Sequence, residues 1–335
     1  MEKTIRAGIL GAAKIASKMA KTILAVDGIA LCAVASRQLE KAQAFIDALE
    51  LPADAPVPKA YGSYEEMVKD PTLDLIYVCT PQSFHYPHTM LCLENGKSVL
   101  CEKAFMLNAK QAGKATALAK EKGLFLGEAI WTRFFPLIED IRKSLNDGII
   151  GAPHMMTASF CVNNQHNQRM YDPALGGGAL LDLGVYVLTC IDLLFGLDYD
   201  SFQTTAELTE LGVDAKSVTT FHYPDGRTAT AIFSMNTVGE NSVIVGGDQG
   251  YLSIPSVTSW TSAKAYDQRK NLLAELQGPE PFTGFEYELE AAISAIRAGK
   301  SECPQMPHER IVGMLETMDA LRQEWGMVLP GDSQL

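Results

Sequence analysis

Short apolar runs alternate with longer amphipathic stretches over about the first 125 residues of the chain. An apolar run followed by a helical pattern is the repeating unit of βαβ folds, and near-continuous apolar runs are typical of strands covered on both faces. The predicted strands are residues 4–10, 29–35, 59–61, 73–79, 98–101 and 124–128. The predicted helices are residues 14–26, 39–49, 86–94 and 109–122. The pattern therefore predicts a parallel sheet with crossover helices.

After Trp131 the regular alternation of apolar runs and helical patterns ends. A helix over residues 136–146 precedes a strand at 154–162, and a glycine triplet at 176–178 opens an apolar helix that runs to about residue 195. Residues 202–266 alternate with a period of two and carry turn signals at 224–226 and 246–248, which predicts an antiparallel sheet. Two helices, 282–298 and 308–325, close the chain.

These patterns predict an α/β protein of two domains, as its 335 residues also suggest. Residues 1–125 are predicted to form a Rossmann-type parallel sheet that binds a dinucleotide. Residues 126–335 are predicted to form an α+β domain with a large open, mainly antiparallel sheet. The two last helices, 282–298 and 308–325, either belong to this second domain or pack on the first.

Charge and cysteine content exclude several function classes. The net charge of −12 and the absence of a basic stripe argue against a nucleic-acid partner. The seven scattered cysteines indicate reduced buried thiols, and no close Cys or His pairing suggests a metal site. The N-terminal apolar stretch is broken by charges, and no other apolar run reaches bilayer length, so we expect no membrane span and a cytoplasmic location.

The turn after the first predicted strand is the candidate pyrophosphate site. Residues 8–16 join that strand to a helix, and Gly11, Ala13 and Ala16 occupy the three positions of a G-x-G-x-x-G-like turn. A helix N-terminus at this point offers unpaired N–H groups to an anion. Glycine-containing turns between a strand and a helix are also common in proteins where they bind no ligand. The prediction therefore rests on the position of this turn at the start of successive βα units.

The second predicted strand ends at Ser36-Arg37, where an NAD site usually carries Asp or Glu. A guanidinium suits the extra phosphate of NADP, whereas a carboxylate would repel it. The alternative is an ordinary solvated arginine at the start of a loop. We predict NADP as the cofactor, with NAD as a second candidate.

Several segments resemble the Gfo/Idh/MocA oxidoreductase family, and within it the dihydrodiol and D-xylose dehydrogenase branch. They cover about the first 195 residues in order, and the remainder matches only in predicted layout. The matching segments are residues 8–16, Cys79-Thr80-Pro81 with His85, Glu102-Lys103, residues 131–136, and residues 176–178 followed by Asp182, Gly184 and Tyr186.

The resemblance implies that Lys103 lies beside the nicotinamide and the reacting carbon. It further implies that the Tyr186 hydroxyl, with a pKa lowered by the ammonium, exchanges a proton with the substrate oxygen. Asp182 would orient this pair or bind a substrate hydroxyl. Asp182 and Tyr186 are four residues apart, so both can project from one helix face. The alternative is that Asp182 caps the helix and Tyr186 packs in the core.

The resemblance also implies the remaining site residues. The expected cofactor contacts are Gly11, Ala12, Ala13, Ile15, Ser36, Arg37, Thr80, Pro81, His85, Glu102, Lys103, Trp131 and Arg133. The expected substrate contacts are Trp131, Phe160, Asp182 and Tyr186. His85 either approaches the nicotinamide or caps the helix that follows it.

One position departs from the family, because Ala104 stands where relatives have proline. The Lys103–Ala104 bond is either trans with a reshaped loop or cis and held by its surroundings. Since a cis bond without proline costs about 2.5 to 4 kcal/mol, we favour trans.

The function predicted on these grounds is hydride transfer between NADP and a sugar or trans-dihydrodiol. Two alternatives stay open: a non-catalytic NADP-responsive regulator, and a dehydrogenase of the same fold for another polyol such as an inositol. Imperfect alternation at Ile232, Val243 and Val245 suggests that the outer sheet face meets a second subunit. We therefore expect a homodimer through the C-terminal sheet, mainly from the resemblance.

Overall fold

A computed structural model of the chain describes residues 3–53 and 55–333. Their contacts form two compact units. The first unit comprises the described part of Met1–Ala129 together with Phe282–Val312, and the second comprises Ile130–Pro281 with the described part of Gly313–Leu335. The limits predicted from the sequence, 1–125 and 126–335, remain a prediction about domains.

The first unit contains a six-stranded parallel sheet in the order β3-β2-β1-β4-β5-β6. Its strands are β1 Ile5–Leu10, β2 Ile29–Ala35, β3 Lys59–Tyr61, β4 Leu75–Val78, β5 Ser98–Glu102 and β6 Leu126–Ala129. The strand order reverses between β1 and β4, where Leu10 pairs with Val78. The predicted Rossmann-type sheet is confirmed, and this reversal is the point at which such sheets bind ligands.

Helices connect the strands of this sheet, as the apolar periodicity predicts. They are α1 Lys14–Ala25, α2 Leu39–Asp47, α3 Tyr64–Val68, α4 His85–Glu94 and α5 Ala109–Lys122, and α8 Glu286–Arg297 belongs to the same unit. The helix α3 was not predicted, because five residues are too few to show a helical period. Its N-cap is Ser63, whose side chain accepts a hydrogen bond from the Glu66 N–H at 3.2 Å.

The second unit contains an eight-stranded sheet in the order β14-β13-β12-β11-β7-β10-β9-β8. Its strands are β7 Pro153–Cys161, β8 Ser201–Leu208, β9 Asp214–His222, β10 Thr228–Ser234, β11 Val243–Gly247, β12 Gly250–Ile254, β13 Ser262–Asp267 and β14 Leu272–Gln277. The pair β7 and β10 is parallel and the other pairs are antiparallel. The predicted open, mainly antiparallel sheet is confirmed.

One face of this sheet is buried and the other is more open. Val243 and Val245 are completely buried, whereas Ile244 between them is 41% exposed. Val243 and Val245 therefore face the core, and Ile244 lies on the outer face. Three apolar residues in succession hide the alternation, so the sequence does not reveal which of them point inward. Ile232 is half-buried on the outer face, opposite Val218 of β9.

An apolar helical segment packs against the buried face of this sheet. It consists of a π-helical turn, Leu180–Gly184, followed by α7 Val185–Leu194. Among residues 3–53 and 55–333, Pro173–Leu194 is the one segment long and apolar enough to cross a membrane, which corrects the expectation that none exists. Most of it is buried inside the protein, and this burial explains its apolar composition. The other helices are α6 Leu137–Asn146 and α9 His308–Trp325.

Candidate active site

The turn between β1 and α1 places backbone N–H groups at the β1/β4 reversal. Gly11 has a left-handed φ of +113°, and a Cβ there would lie 3.3 Å from the Cys79 carbonyl group. Only glycine fits this close approach without strain. Ala13 is the N-cap of α1, and the described chain gives this N-terminus neither a side-chain cap nor an acidic first-turn residue. The first-turn amides are thus suited to bind a phosphate.

Ser36 and Arg37 follow β2 at the same edge of the sheet. The Ser36 N–H donates to the Tyr61 carbonyl at 3.1 Å, and Arg37 beyond it is exposed. Burial lowers the pKa of His88 to about 4, and the charges of His85 and Arg37 contribute to the same shift. The charge of Arg37 thus acts on the His88 ring, an interaction that no sequence motif predicts.

His88 belongs to an aromatic cluster formed by Tyr64, Phe84 and His88. The rings of Tyr64 and His88 meet edge to face with centroids 4.8 Å apart, and Phe84 stacks on His88 at 5.7 Å. His88 Nδ1 also lies 3.0 Å from the Thr80 hydroxyl. Sequence reasoning missed this cluster, because Tyr64 and His88 come from separate helices and carry no shared motif.

His85 connects two loops of the predicted site. Its Nδ1 lies 2.9 Å from the Ala104 carbonyl oxygen, and its Nε2 lies 2.8 Å from the Thr80 carbonyl oxygen. These carbonyls favour the protonated ring, but complete burial opposes it more strongly and lowers the pKa to about 4. The ring is therefore neutral at pH 7 and donates one N–H. His85 is the first residue of α4, and it bridges the loops that follow β4 and β5.

Lys103 follows directly after β5. It is half-buried, and its N–H donates to Glu102 Oε2 at 3.3 Å, while the hydroxyl of Tyr77 donates to the other oxygen of Glu102. The Lys103–Ala104 peptide bond is cis, so the expectation of a trans bond is wrong. The sequence does not show the contacts around this bond. Ala104 is fully buried, and its carbonyl oxygen contacts His85 Nδ1. The N–H of Phe105 donates to Glu128 Oε1 at 3.0 Å.

Three carboxyl groups are buried in the first unit, and the charges of two of them, Glu102 and Glu128, act on the third, Glu288. Neither oxygen of Glu288 has a hydrogen-bond partner among the residues that the structure describes. Burial raises its pKa well above the usual range, and the charges of Glu102 and Glu128 raise it further. Within the described chain, no three His, Cys, Asp or Glu side chains are arranged to hold a metal ion.

In the second unit, Tyr186 contacts two aromatic side chains, Trp131 and Phe160. The indole N–H of Trp131 donates to the hydroxyl of Tyr186 at 3.2 Å. The ring of Phe160 packs edge to face on Tyr186 with centroids 5.8 Å apart. Tyr186 is half-buried, and its catalytic role stays a prediction beside the alternative of a packed core residue.

Asp182 lies within the π-helical turn that precedes α7. Its Oδ1 accepts a hydrogen bond from Arg169 Nη2 at 3.2 Å, and its side chain is 15% exposed. The N-cap position of this turn is Ala179, so Asp182 lies inside the turn. Sequence reasoning missed Arg169, because it comes from a polar loop without a motif. π-Helical turns inside helices occur frequently at functional sites.

Arg133 forms an ion pair with Asp192 of α7, and both side chains are almost completely buried. The predicted set thus divides between the two units. Gly11, Arg37, His85 and Lys103 belong to the first, whereas Arg133 belongs to the second with Trp131, Phe160, Asp182 and Tyr186. That Lys103 and Tyr186 meet over one nicotinamide ring stays a prediction.

Comparison with known proteins identifies both halves of the chain. Residues 5–129 match the oxidoreductase family with an NAD-binding Rossmann fold, and residues 138–253 match the GFO/IDH/MocA C-terminal domain. Trans-1,2-dihydrobenzene-1,2-diol dehydrogenase of Mus musculus is 31% identical over 98% of this chain and 99% of its own length. The enzyme of the same name from Xenopus tropicalis is 34% identical over 96% and 98%.

Solved structures resemble the whole chain. A 3-ketoreductase from Actinomadura kijaniata, crystallised with NADP and TDP-benzene, has a TM-score of 0.85 at 26% identity, covering 96% of this chain and 98% of its own. An aldose-aldose oxidoreductase from Caulobacter crescentus complexed with glycerol has a TM-score of 0.84 at 22% identity, covering 97% and 98%. At that lower identity the likeness concerns the fold.

Proposed function

Since the chain belongs to the Gfo/Idh/MocA oxidoreductase family, we propose that it transfers a hydride between NADP and a hydroxyl-bearing carbon of a trans-dihydrodiol or a sugar. The observation that carries the proposal is the half-buried phenol of Tyr186. It accepts the Trp131 N–H at 3.2 Å and lies one helical turn from the carboxylate of Asp182. A phenol held in this way is suited to exchange a proton with an alcohol oxygen.

Residues of the first unit would bind the cofactor. The uncapped N-terminus of α1 offers its amides to the pyrophosphate, next to Gly11. Arg37 would bind the 2′-phosphate of NADP, and the neighbouring rings of Tyr64, Phe84 and His88 would support the adenosine. NADP, when bound, accepts or supplies the hydride.

The chain's own residues would handle the proton and the orientation of the substrate. Removal of a hydride from an alcohol leaves a proton on its oxygen, and Tyr186 would accept that proton. The form of Tyr186 that accepts the proton is the phenolate, which the ammonium of Lys103 would stabilise and which becomes the neutral phenol on transfer. Asp182, held by Arg169 at 3.2 Å, would bind a second hydroxyl of the substrate.

The residue types of the site fit a cyclic compound with adjacent hydroxyls. The rings of Trp131 and Phe160 offer apolar contact to one face of a ring, and Asp182 offers an acceptor to hydroxyl groups. This mixture, together with the names of the relatives, supports a trans-dihydrodiol first and a pentose second.

We further propose a homodimer and a cytoplasmic location. The outer face of the second-unit sheet exposes Met155, Val218 and Ile244 by 60%, 45% and 41% of their surface, which supports pairing of two sheets face to face. All seven cysteines are free, which supports a reducing compartment.

The test is steady-state reduction of NADP with trans-1,2-dihydrobenzene-1,2-diol and with a pentose. Lys103→Met and Tyr186→Phe should each lower kcat at least about 100-fold and leave the Kd of NADPH within twofold of the wild-type value. Lys114→Met, at an exposed position of α5, is the matched control and should retain full activity. Unchanged turnover in both site variants would overturn the proposed roles. NADP binding without turnover of either substrate class would favour a regulator instead.

A further inference from the structure

Asp214, the first residue of β9, is completely buried beneath the helical segment that carries Asp182 and Tyr186. Its Oδ2 accepts a hydrogen bond from the N–H of Leu180 at 2.8 Å. Leu180 begins the π-helical turn, and the local N-cap residue, Ala179, supplies no side-chain hydrogen bond. A strand distant in sequence therefore provides the carboxylate that caps this turn.

The glycine triplet explains how the carboxylate reaches the turn. A Cβ on Gly178 would lie only 2.4 Å from Asp214 Oδ1, and Gly178 has a left-handed φ of +117°. A Cβ on Gly177 would lie 2.7 Å from the Met170 carbonyl oxygen. The triplet thus lets backbone and carboxylate approach more closely than any side chain would allow.

Burial and the neighbouring polar groups have opposite effects on the pKa of Asp214. Burial raises its pKa to about 7, although the backbone N–H of Leu180, its own N–H, the charge of Arg322 and the N–H of Ala179 all favour the carboxylate. Arg322 of α9 is itself paired with Asp319 and Asp332, both at 2.7 Å. Asp214 Oδ1 has no hydrogen-bond partner within the described part of the chain.

We propose that Asp214 is a positioning residue of the proposed active site: through its hydrogen bond to Leu180 it fixes the π-helical turn, and thereby the directions of the Asp182 carboxylate and the Tyr186 phenol. The inference rests on the proposed function, because it concerns how that site is held. Asp214 acts through the backbone of Leu180 and takes no part in the chemical step. A misplacement of catalytic groups by about 1 Å can lower turnover about 100-fold.

The test compares Asp214→Ala with Asp214→Asn. The asparagine keeps an acceptor of the same shape for the Leu180 N–H, whereas the alanine removes it. Asp214→Ala should lower kcat about 10- to 100-fold, with the Kd of NADPH unchanged within twofold. Asp214→Asn should restore kcat to within about threefold of the wild-type value. The control is Ile191→Ala, which creates a cavity at a buried position in the second half of α7. It separates a general loss of stability from the loss of the hydrogen bond to Leu180.

A second readout does not depend on activity. The chain has three tryptophans, so an amide correlation spectrum of ¹⁵N-labelled protein contains three indole signals, and Trp131→Phe identifies the one bound to Tyr186. This signal should shift in Asp214→Ala and stay in place in Asp214→Asn and Ile191→Ala.

The outcomes separate the inference from the proposed function. Wild-type kcat in Asp214→Ala, equal loss in Asp214→Asn, or equal loss in Ile191→Ala would each overturn the positioning role. If the wild-type protein turns over no substrate, the proposed function fails, and the Trp131 signal alone decides the inference.

Discussion

Replacement of Asp214 by asparagine should change how stability depends on pH. Burial raises the pKa of Asp214 from 3.8 to about 7, so the folded protein keeps this proton over a range in which the unfolded chain has released it. Below about pH 4 Asp214 is protonated in both states and does not destabilise the fold. As the pH rises from about 4 toward 7, Asp214 increasingly lowers the free energy of unfolding. Above about pH 7 the contribution is constant.

The size of the effect follows from the shift. A difference of about three pKa units corresponds to roughly 4 kcal/mol, because each unit is worth about 1.4 kcal/mol. About 3 kcal/mol of this should appear between pH 5 and pH 8. An uncharged amide does not titrate, so the advantage of Asp214→Asn over the wild-type protein should grow by that amount across the interval.

Urea unfolding followed by tryptophan fluorescence measures this difference. Trp131, Trp260 and Trp325 all belong to the second unit, which also contains Asp214, so the signal reports the relevant transition. The free energy of unfolding is compared between the two proteins at pH 5, 6, 7 and 8. A difference that stays constant with pH would refute the reasoning, because it would mean that Asp214 has similar pKa values in the folded and unfolded states.

Three further predictions concern other parts of the molecule. Arg37→Asp should weaken NADP binding at least about 100-fold more than NAD binding in titrations of both, and equal losses would contradict a phosphate contact. Asp192→Ala leaves the buried Arg133 without this ion pair, so it should lower the free energy of unfolding by about 3 to 5 kcal/mol, and a loss below about 1 kcal/mol in urea unfolding would refute this. Because burial raises the pKa of Glu288, the stability of Glu288→Gln relative to the wild-type protein should increase as the pH rises above about 4.5. Unfolding followed by circular dichroism at several pH values measures this difference in stability. A difference that does not change with pH would contradict the prediction.

Local patterns carried most of the prediction of the fold. The βα alternation was sufficient to predict the parallel sheet, because each strand and helix shows its own period within a few residues. Short or ambiguous elements escaped this reasoning. The five residues of α3 contain barely one turn, and the run from Val243 to Val245 hides which side chains are buried.

The candidate site was predictable where a motif joins neighbouring residues. Gly11, Lys103 and Tyr186 were predicted in this way, through their positions and a family resemblance. Residues that act through contacts between distant segments were not. Arg169 reaches Asp182 across 13 positions, and Asp214 reaches Leu180 across 34.

The sequence alone determined the order of the elements, the glycine-containing turn after β1 and the choice of a basic residue, Arg37, at the end of β2. These properties depend on neighbours within one helical turn or one strand. Tertiary structure alone decided that the Lys103–Ala104 bond is cis, that Glu288 is buried, and that Asp214 caps the turn before α7. Burial and long-range hydrogen bonds arise only when distant segments pack together, so no local pattern records them.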